Sequence, residues 1–270
     1  MVQAAAASQP AELGNIAAAI EMKNISVDFT RDGNTLRVLR QLDMRVEEES
    51  FVALIGPSGS GKSTLLRVIA DLIPPSEGQI RIFGKEPAAA RINRDIGFVF
   101  QDATLLPWRS VIDNVRLPLE IKGKGPQANS FRAEELLELV GLEGRHNAFP
   151  HELSGGMRQR VAIARSLICR PRLLLMDEPF GALDEITRDK MNEELLRIWR
   201  ETQTTIIFVT HSIAEAAYLG ERVIVLQANP GQIRDVVDID FGRDRTPVVR
   251  DSTAFVEYGA RLRNSLRGHG

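Results

Sequence analysis

FVALIGPSGSGKSTLLRVI, residues 51–69, decides the fold. Its first five residues form a continuous apolar run, as in a strand buried on both faces of a parallel sheet. Its last residues place Leu65, Leu66, Val68 and Ile69 at helical spacing. Between strand and helix, Gly56, Pro57, Ser58, Gly59, Ser60, Gly61, Lys62, Ser63 and Thr64 match the phosphate-loop pattern in the context it requires. Glycines let successive backbone N–H groups converge on phosphate oxygens, and the positive end of the following helix adds to the attraction. In such a loop Lys62 is expected to reach the β- and γ-phosphates of a nucleotide, and Ser63 to ligate Mg2+.

Outward from this stretch, short β-branched apolar runs recur as IGFVF at 96–100, LLLM at 173–176, TIIFVT at 205–210 and VIVL at 223–226. Helical patterns separate them: KSTLLRVIADLI, closed by Pro74 and Pro75, and TRDKMNEELLRIWRET. Strand, loop, helix, strand is an α/β order with a mainly parallel sheet. Residues 110–168 contain no comparable strand run. FRAEELLELVGL sets Phe131, Leu136, Leu137 and Val140 in a stripe, and VAIARSLI reads as a second buried helix, so a helical subdomain is inserted over about 103–168. Residues 1–20 are expected to be a flexible extension, residues 21–240 the main domain, and the charged, weakly patterned residues 241–270 a tail.

Composition limits the function. Of 270 residues 43% are hydrophobic, enough for a substantial core, and the formal charge of −2 argues against a surface built for nucleic-acid phosphates. The single cysteine, Cys169 in SLICR, rules out an intrachain disulfide and reads as a buried thiol. The alanine-rich N-terminus lacks the basic start of a signal peptide, and no apolar run is long enough to cross a bilayer, so a membrane role requires a partner.

LLLMDEP ends a buried run with Asp177 and Glu178, whose side chains point in different directions from an extended backbone. Asp177 suits a water-mediated contact to Mg2+, and Glu178 suits a general base for the attacking water. His211 in FVTHS ends another apolar run on the same edge and suits a contact to the γ-phosphate or the water. Gln101, ending IGFVFQ, suits a contact to Mg2+ or water.

LSGGMRQR at 153–160 carries two adjacent glycines before a basic helical run. One reading is an ordinary helix N-cap. The other is a second anion cradle. One nucleotide has one triphosphate, already held by residues 56–64, so Ser154, Gly155 and Gly156 would then serve the nucleotide of a second copy packed head to tail, acting in trans.

Together GPSGSGKS, Gln101, LSGGMRQR, LLLMDEP, GALD (Gly181 to Asp184) and His211 resemble the ATP-binding-cassette (ABC) ATPases, with the motifs in family order over about residues 21–240. The resemblance implies a phosphate-loop, RecA-like core with an antiparallel β region near the N-terminus. It also implies adenine stacking at Phe29 and ATP with Mg2+ at Ser63, Gln101 and Asp177. QDATLLPWRSVIDNV, MDEPFGALDEITR and THSIAEAAYLGERVIVL further resemble the importers of nitrate, sulfonates and taurine. That likeness implies a peripheral subunit at the cytoplasmic face of the membrane, paired with a second copy of itself, with transmembrane permease subunits and indirectly with a solute-binding protein. Leu105, Leu106 and Trp108, within Asp102–Trp108, would lie near the permease or else pack in the core. The alternatives are a cassette ATPase acting on nucleic acid or the ribosome, and a phosphate-loop kinase. The former usually carries a long coiled coil or two cassettes in one chain, and LSGG counts against the latter.

Overall fold

The computed structural model describes residues 17–31, 33–121 and 131–268. In chain order its elements are β1 (Ala18–Arg31), β2 (Asn34–Glu47), β3 (Phe51–Ile55), α1 (Lys62–Ile69), β4 (Glu77–Ile82), α2 (Pro87–Ile92) and β5 (Ile96–Val99). There follow α3 (Val111–Glu120), α4 (Ala133–Leu139), α5 (Gly155–Leu167), β6 (Leu173–Asp177), α6 (Glu185–Thr202) and β7 (Thr205–Val209). The chain continues with α7 (Ile213–Leu219), β8 (Arg222–Gln227), β9 (Gln232–Asp238) and α8 (Thr253–Arg267).

The five apolar runs become the five parallel strands of one sheet, ordered β5-β6-β7-β3-β8, to which β9 adds an antiparallel edge. β3, wholly buried, lies between two strands distant in sequence, with Phe51 opposite Ile206 and Val52 opposite Arg222. A strand in that place needs apolar side chains on both faces, which is why FVALI does not alternate. On one face α1 packs with a second sheet, β2-β1-β4, which is antiparallel, through Leu65, Leu66 and Ile69 against Leu39, Leu42 and Ile20. The other face is covered by α3 to α6 around Leu136, Val161, Leu174, Leu195 and Trp199. A third cluster joins α7 and α8 to β3, β8 and β9 through Ala217, Val225, Val237 and Leu262.

Three boundaries differ from the sequence reading. Ala18, Ala19 and Ile20 belong to β1 rather than to an extension, because Ala19 and Ile20 are fully buried and Ala18 pairs with Glu47. Residues 1–16 lie outside the described residues. The first helix stops at Ile69, short of the prolines: Leu72 N donates to Arg67 O (2.9 Å) and Asp71 adopts a left-handed φ of 57°, which closes the last turn. The C-terminal stretch is not an unpatterned tail, since Ser252 caps α8 and Phe255, Tyr258, Leu262 and Leu266 recur at helical spacing against the sheet. Cys169 is half-buried, with its thiol 3.7 Å from Arg94 Nη1.

Candidate functional site

The loop between β3 and α1 is built by its own chain. Gly61 has φ +85°, and a Cβ placed there would come within 2.4 Å of Leu39 Cδ2 on β2, so both conformation and space call for glycine. Lys62 is 7% exposed, and its Nζ donates to Gly56 O (2.8 Å) and Pro57 O (3.1 Å). Burial pushes the Lys62 ammonium below its ordinary pKa, against the pull of Glu178 and Asp177. Ser60 is fully buried, and its hydroxyl has no hydrogen-bond partner among the described residues, an orphaned polar atom in the loop. Pro57, Ser58, Gly59 and Thr64 complete the same turn and the start of α1.

The carboxyl end of β6 faces this loop. Ser63 Oγ donates to Asp177 Oδ1 at 2.9 Å, so the serine and the aspartate singled out in the sequence meet across 114 residues. Burial pushes the Asp177 carboxyl above its ordinary range, opposed by the Ser63 hydrogen bond. Among the described residues no three His, Cys, Asp or Glu side chains cluster to hold a metal. A hydroxyl beside a single carboxylate is an oxygen-only set suited to Mg2+, which takes the rest of its shell from water and phosphate. The residues therefore fit both ATP and Mg2+.

The next residue turns away. Glu178 has a left-handed φ of 47°, a conformation that costs free energy in a non-glycine residue and gathers at functional sites. Its N–H donates to Val209 O (3.0 Å), and its Oε2 lies 3.3 Å from His211 Nδ1. Glu178 and His211 thus form a pair across the ends of β6 and β7, with the His211 ring more than half exposed. Gln101 is exposed just past β5, the neighbour of β6. Gln159, inside LSGGMRQR and given no role by the sequence reading, donates from Nε2 to Phe100 O (3.0 Å) and ties α5 to the residue before Gln101. Its signal was its place on the inner face of α5, where it is 4% exposed.

Phe29 is 42% exposed on β1 opposite Leu36, on the sheet whose Leu39 abuts Gly61. Ser154 is the N-cap of α5, its Oγ accepting from Met157 N (3.3 Å), so the capping reading of LSGG holds in the single chain. It leaves the cradle reading intact. A Cβ at Gly155 would meet only Leu183 Cδ2 at 3.8 Å and Arg158 Nη2 at 4.0 Å, with nothing of the phosphate loop within 4 Å among the described residues. The Asp102–Trp108 segment divides: Leu105 packs against the core, Leu106 is half-buried and Trp108 is 71% exposed. Arg165 holds its start through Ala103 O (2.8 Å) and Thr104 O (2.9 Å), and Asn114 Oδ1 accepts from Leu106 N (2.7 Å).

Lys62, Ser63, Asp177, Glu178 and His211 share a position: all lie at or past the carboxyl ends of neighbouring parallel strands, where doubly covered sheets bind ligands. The class so defined is that of phosphate-loop nucleoside triphosphatases. The family profile described as "ABC transporter" matches residues 39–181. A taurine import ATP-binding protein of Rhizobium johnstonii is 48% identical over 225 residues, covering 83% of this chain and 85% of that protein. A nitrate import ATP-binding protein of Synechocystis is 40% identical over 255 residues, covering 92% and 95%. The dimeric structure of a bacterial ABC transporter cassette superposes with a TM-score of 0.72 at 35% identity, over 83% of this chain and all of that one. The chain belongs to the ABC transporter family, as an ATP-binding protein and ATPase.

Proposed function

We propose that this chain is the ATP-hydrolysing subunit of an importer of a small solute such as nitrate, a sulfonate or taurine, and that two copies share two ATP sites. The observation that carries the shared-site part is the contrast at the two glycine turns. In one, Gly61 is pressed against Leu39 and Lys62 is buried by its own chain; in the other, Ser154 and Gly155 are exposed, and no residue of the phosphate loop comes within 4 Å of a Cβ at Gly155. Residues 56–64 and Lys62 hold the phosphates, and Phe29 stacks on adenine. Ser63 and, through water, Asp177 would hold Mg2+ with Gln101 beside them, and the ion would neutralise charge on the phosphate oxygens. Glu178 accepts the proton of the attacking water, and His211 orients that water or the γ-phosphate. Ser154, Gly155 and Gly156 of the other copy close the site from above, so that ATP joins the copies.

The importer reading is supported by the names of the relatives and by a groove of about 440 Å³ between β5 and the helical subdomain, lined by Phe98, Phe100, Leu117, Pro118 and Ile121 with Arg94 on its wall. A permease loop would dock there. Among the described residues no helix is long and apolar enough to cross a membrane, which accords with a peripheral subunit at the cytoplasmic face. The test is to copurify the tagged chain with its candidate permease, reconstitute both in liposomes and add the solute-binding protein with taurine, sulfonates or nitrate in turn. Uptake and ATPase activity stimulated by one of these solutes is expected. A chain that binds no permease, or a complex indifferent to all three solute classes, overturns the importer reading.

A further inference from the structure

Six buried side-chain polar atoms have no hydrogen-bond partner among the described residues, and four of them sit at one place: Arg188 Nε, Asn192 Nδ2, Asn192 Oδ1 and Glu215 Oε1. Buried polar groups are nearly always satisfied, so such a concentration in one spot requires a reason. The spot lies between α6 and α7, behind the Glu178–His211 pair rather than in it. Asn192 is 1% and Glu215 7% exposed.

The bonds that are made run to both sides. Thr210 Oγ1 donates to Glu215 Oε2 and accepts from Ser212 N (2.9 Å), so the Glu215 carboxylate fixes the backbone on either side of His211. On the other side, Arg188 Nη2 donates to Leu183 O (2.7 Å) in the turn that follows Glu178. The gap is in the middle: Arg188 Nε stops 3.8 Å from Glu215 Oε1, about 1 Å beyond a charge-assisted hydrogen bond. Leu183 continues the line, because its Cδ2 would be 3.8 Å from a Cβ at Gly155 and 3.9 Å from one at Gly156. Thr187 Cγ2, one residue before Arg188, would be 3.0 Å from a Cβ at Gly156. A small shift of the second glycine cradle against α6 therefore moves the group whose approach would close the gap.

We propose that Arg188, Asn192 and Glu215 are positioning residues, a two-state link through which engagement of one nucleotide by the Ser154–Gly156 cradle sets His211 and Glu178 for the other. The inference rests on the shared-site reading above. In the separate chain the link is loose: Asn192 already interacts with the Glu215 carboxylate, whereas Arg188 Nε stops short of it, and that gap is what closure removes. Closure draws Glu215, and with it the Thr210–Ser212 backbone, toward α6. Each chain contributes its cradle to one site and its His211 to the other, so the link makes the two sites depend on each other.

The test uses the full-length chain at a concentration where it dimerises with ATP, in four forms: Arg188→Met, Glu215→Gln, their double variant, and Asn192→Leu. Each single variant at 188 or 215 should lower kcat about tenfold and reduce the Hill coefficient for ATP from above 1 to about 1, with KM within about twofold because residues 56–64 are untouched. The double variant should be no slower than the worse single one, since both break the same link. Asn192→Leu should raise Tm, by removing unbonded buried polar atoms, while also abolishing the cooperativity. A purely structural role gives the opposite pairing, and this variant alone decides the matter if Arg188→Met fails to fold. Wild-type kcat and cooperativity in the variants, or losses in the double variant that multiply, overturn the link. A wild-type chain that shows a Hill coefficient of 1 at every protein concentration overturns the link, and activity per chain that does not rise with protein concentration overturns the shared-site reading first, and the link with it.

Discussion

The phosphate loop and the Ser154–Gly156 turn both present backbone N–H groups at the start of a helix, yet they are built in opposite ways. The first is locked by its own chain: Gly61 is pressed against Leu39, Lys62 is buried, and Ser63 is held by Asp177. The second is capped by Ser154 and leaves Ser154 and Gly155 exposed, with only Gly156 buried, against Thr187 and Leu183. A site that must hold a nucleotide in a lone chain is preorganised, and a site that must approach another molecule keeps its face clear. Substitution at the first should therefore disturb folding or binding within one chain. At the second it should disturb only what two chains do together.

The largest effect separates chemistry from both. Glu178→Gln keeps shape and loses the proton acceptor, so turnover should fall about a thousandfold while the affinity for ATP stays within about twofold. Turnover within a few-fold of wild type would remove Glu178 from the base role. Next comes the exchange between chains. Gly155→Asp and Lys62→Ala are each expected to be inactive, but a mixture should recover activity, because half the dimers are mixed and each has one intact site: about a quarter of wild-type activity for independent sites, and roughly tenfold less where the loose link slows the intact site. In an uncoupled pair of sites this recovery is required; strict coupling would silence the mixture. ATP-dependent dimerisation in a Glu178→Gln background, lost when Gly155→Asp is added, separates those cases.

Smaller effects sharpen the comparison at the level of folding. Gly61→Ala forces a left-handed φ on a residue with a Cβ and should cost about 2 kcal/mol of stability by chemical denaturation. Gly155→Ala meets no such obstacle and should change stability by no more than about 0.5 kcal/mol. Equal losses would break the contrast. The smallest effect concerns Asp177. Burial raises its pKa in the folded chain, so the folded state holds the proton more tightly than the unfolded one, and stability is lost as pH rises through the folded value. Asp177→Asn removes that loss: Tm should match wild type in the acidic carboxylate range and exceed it at about pH 8. A gain that is the same at both pH values would show that the carboxylate's ionisation is not its source.

The sequence is most legible where one cause acts on consecutive residues. Continuous apolar runs name the five parallel strands, and a glycine loop set between strand and helix names the proposed nucleotide site, where Lys62, Ser63, Asp177, Glu178 and His211 lie together. β1 and β2 were obscured because bulges between Met22, Ile25 and Val27 break the period of two by which a half-buried strand is recognised. The stripe of Phe255, Tyr258, Leu262 and Leu266 was legible but thin, since only Leu262 is fully buried. Arg188, Asn192 and Glu215 carry no local signal. Each reads as an ordinary polar position on a helix, and only the packing of α6 on α7 reveals that they are enclosed.

The place of β3 in its sheet has a consequence for how the chain is made. Residues 51–55 leave the ribosome early, but their partners Ile206–Val209 and Arg222–Val225 are translated more than 150 residues later. At a synthesis rate of about 5–20 residues per second, the central strand and the loop that follows it wait roughly 10–30 s before either neighbour exists. During that interval one face of the strand can pack against α1 and the β2-β1-β4 sheet, but its hydrogen-bonding edges and its other face have no permanent partner, and Asp177, which meets Ser63, does not yet exist for most of it. The stretch that decides the fold is thus written long before it is secured, and the growing chain has most need of protection by chaperones just before β7 and β8 appear.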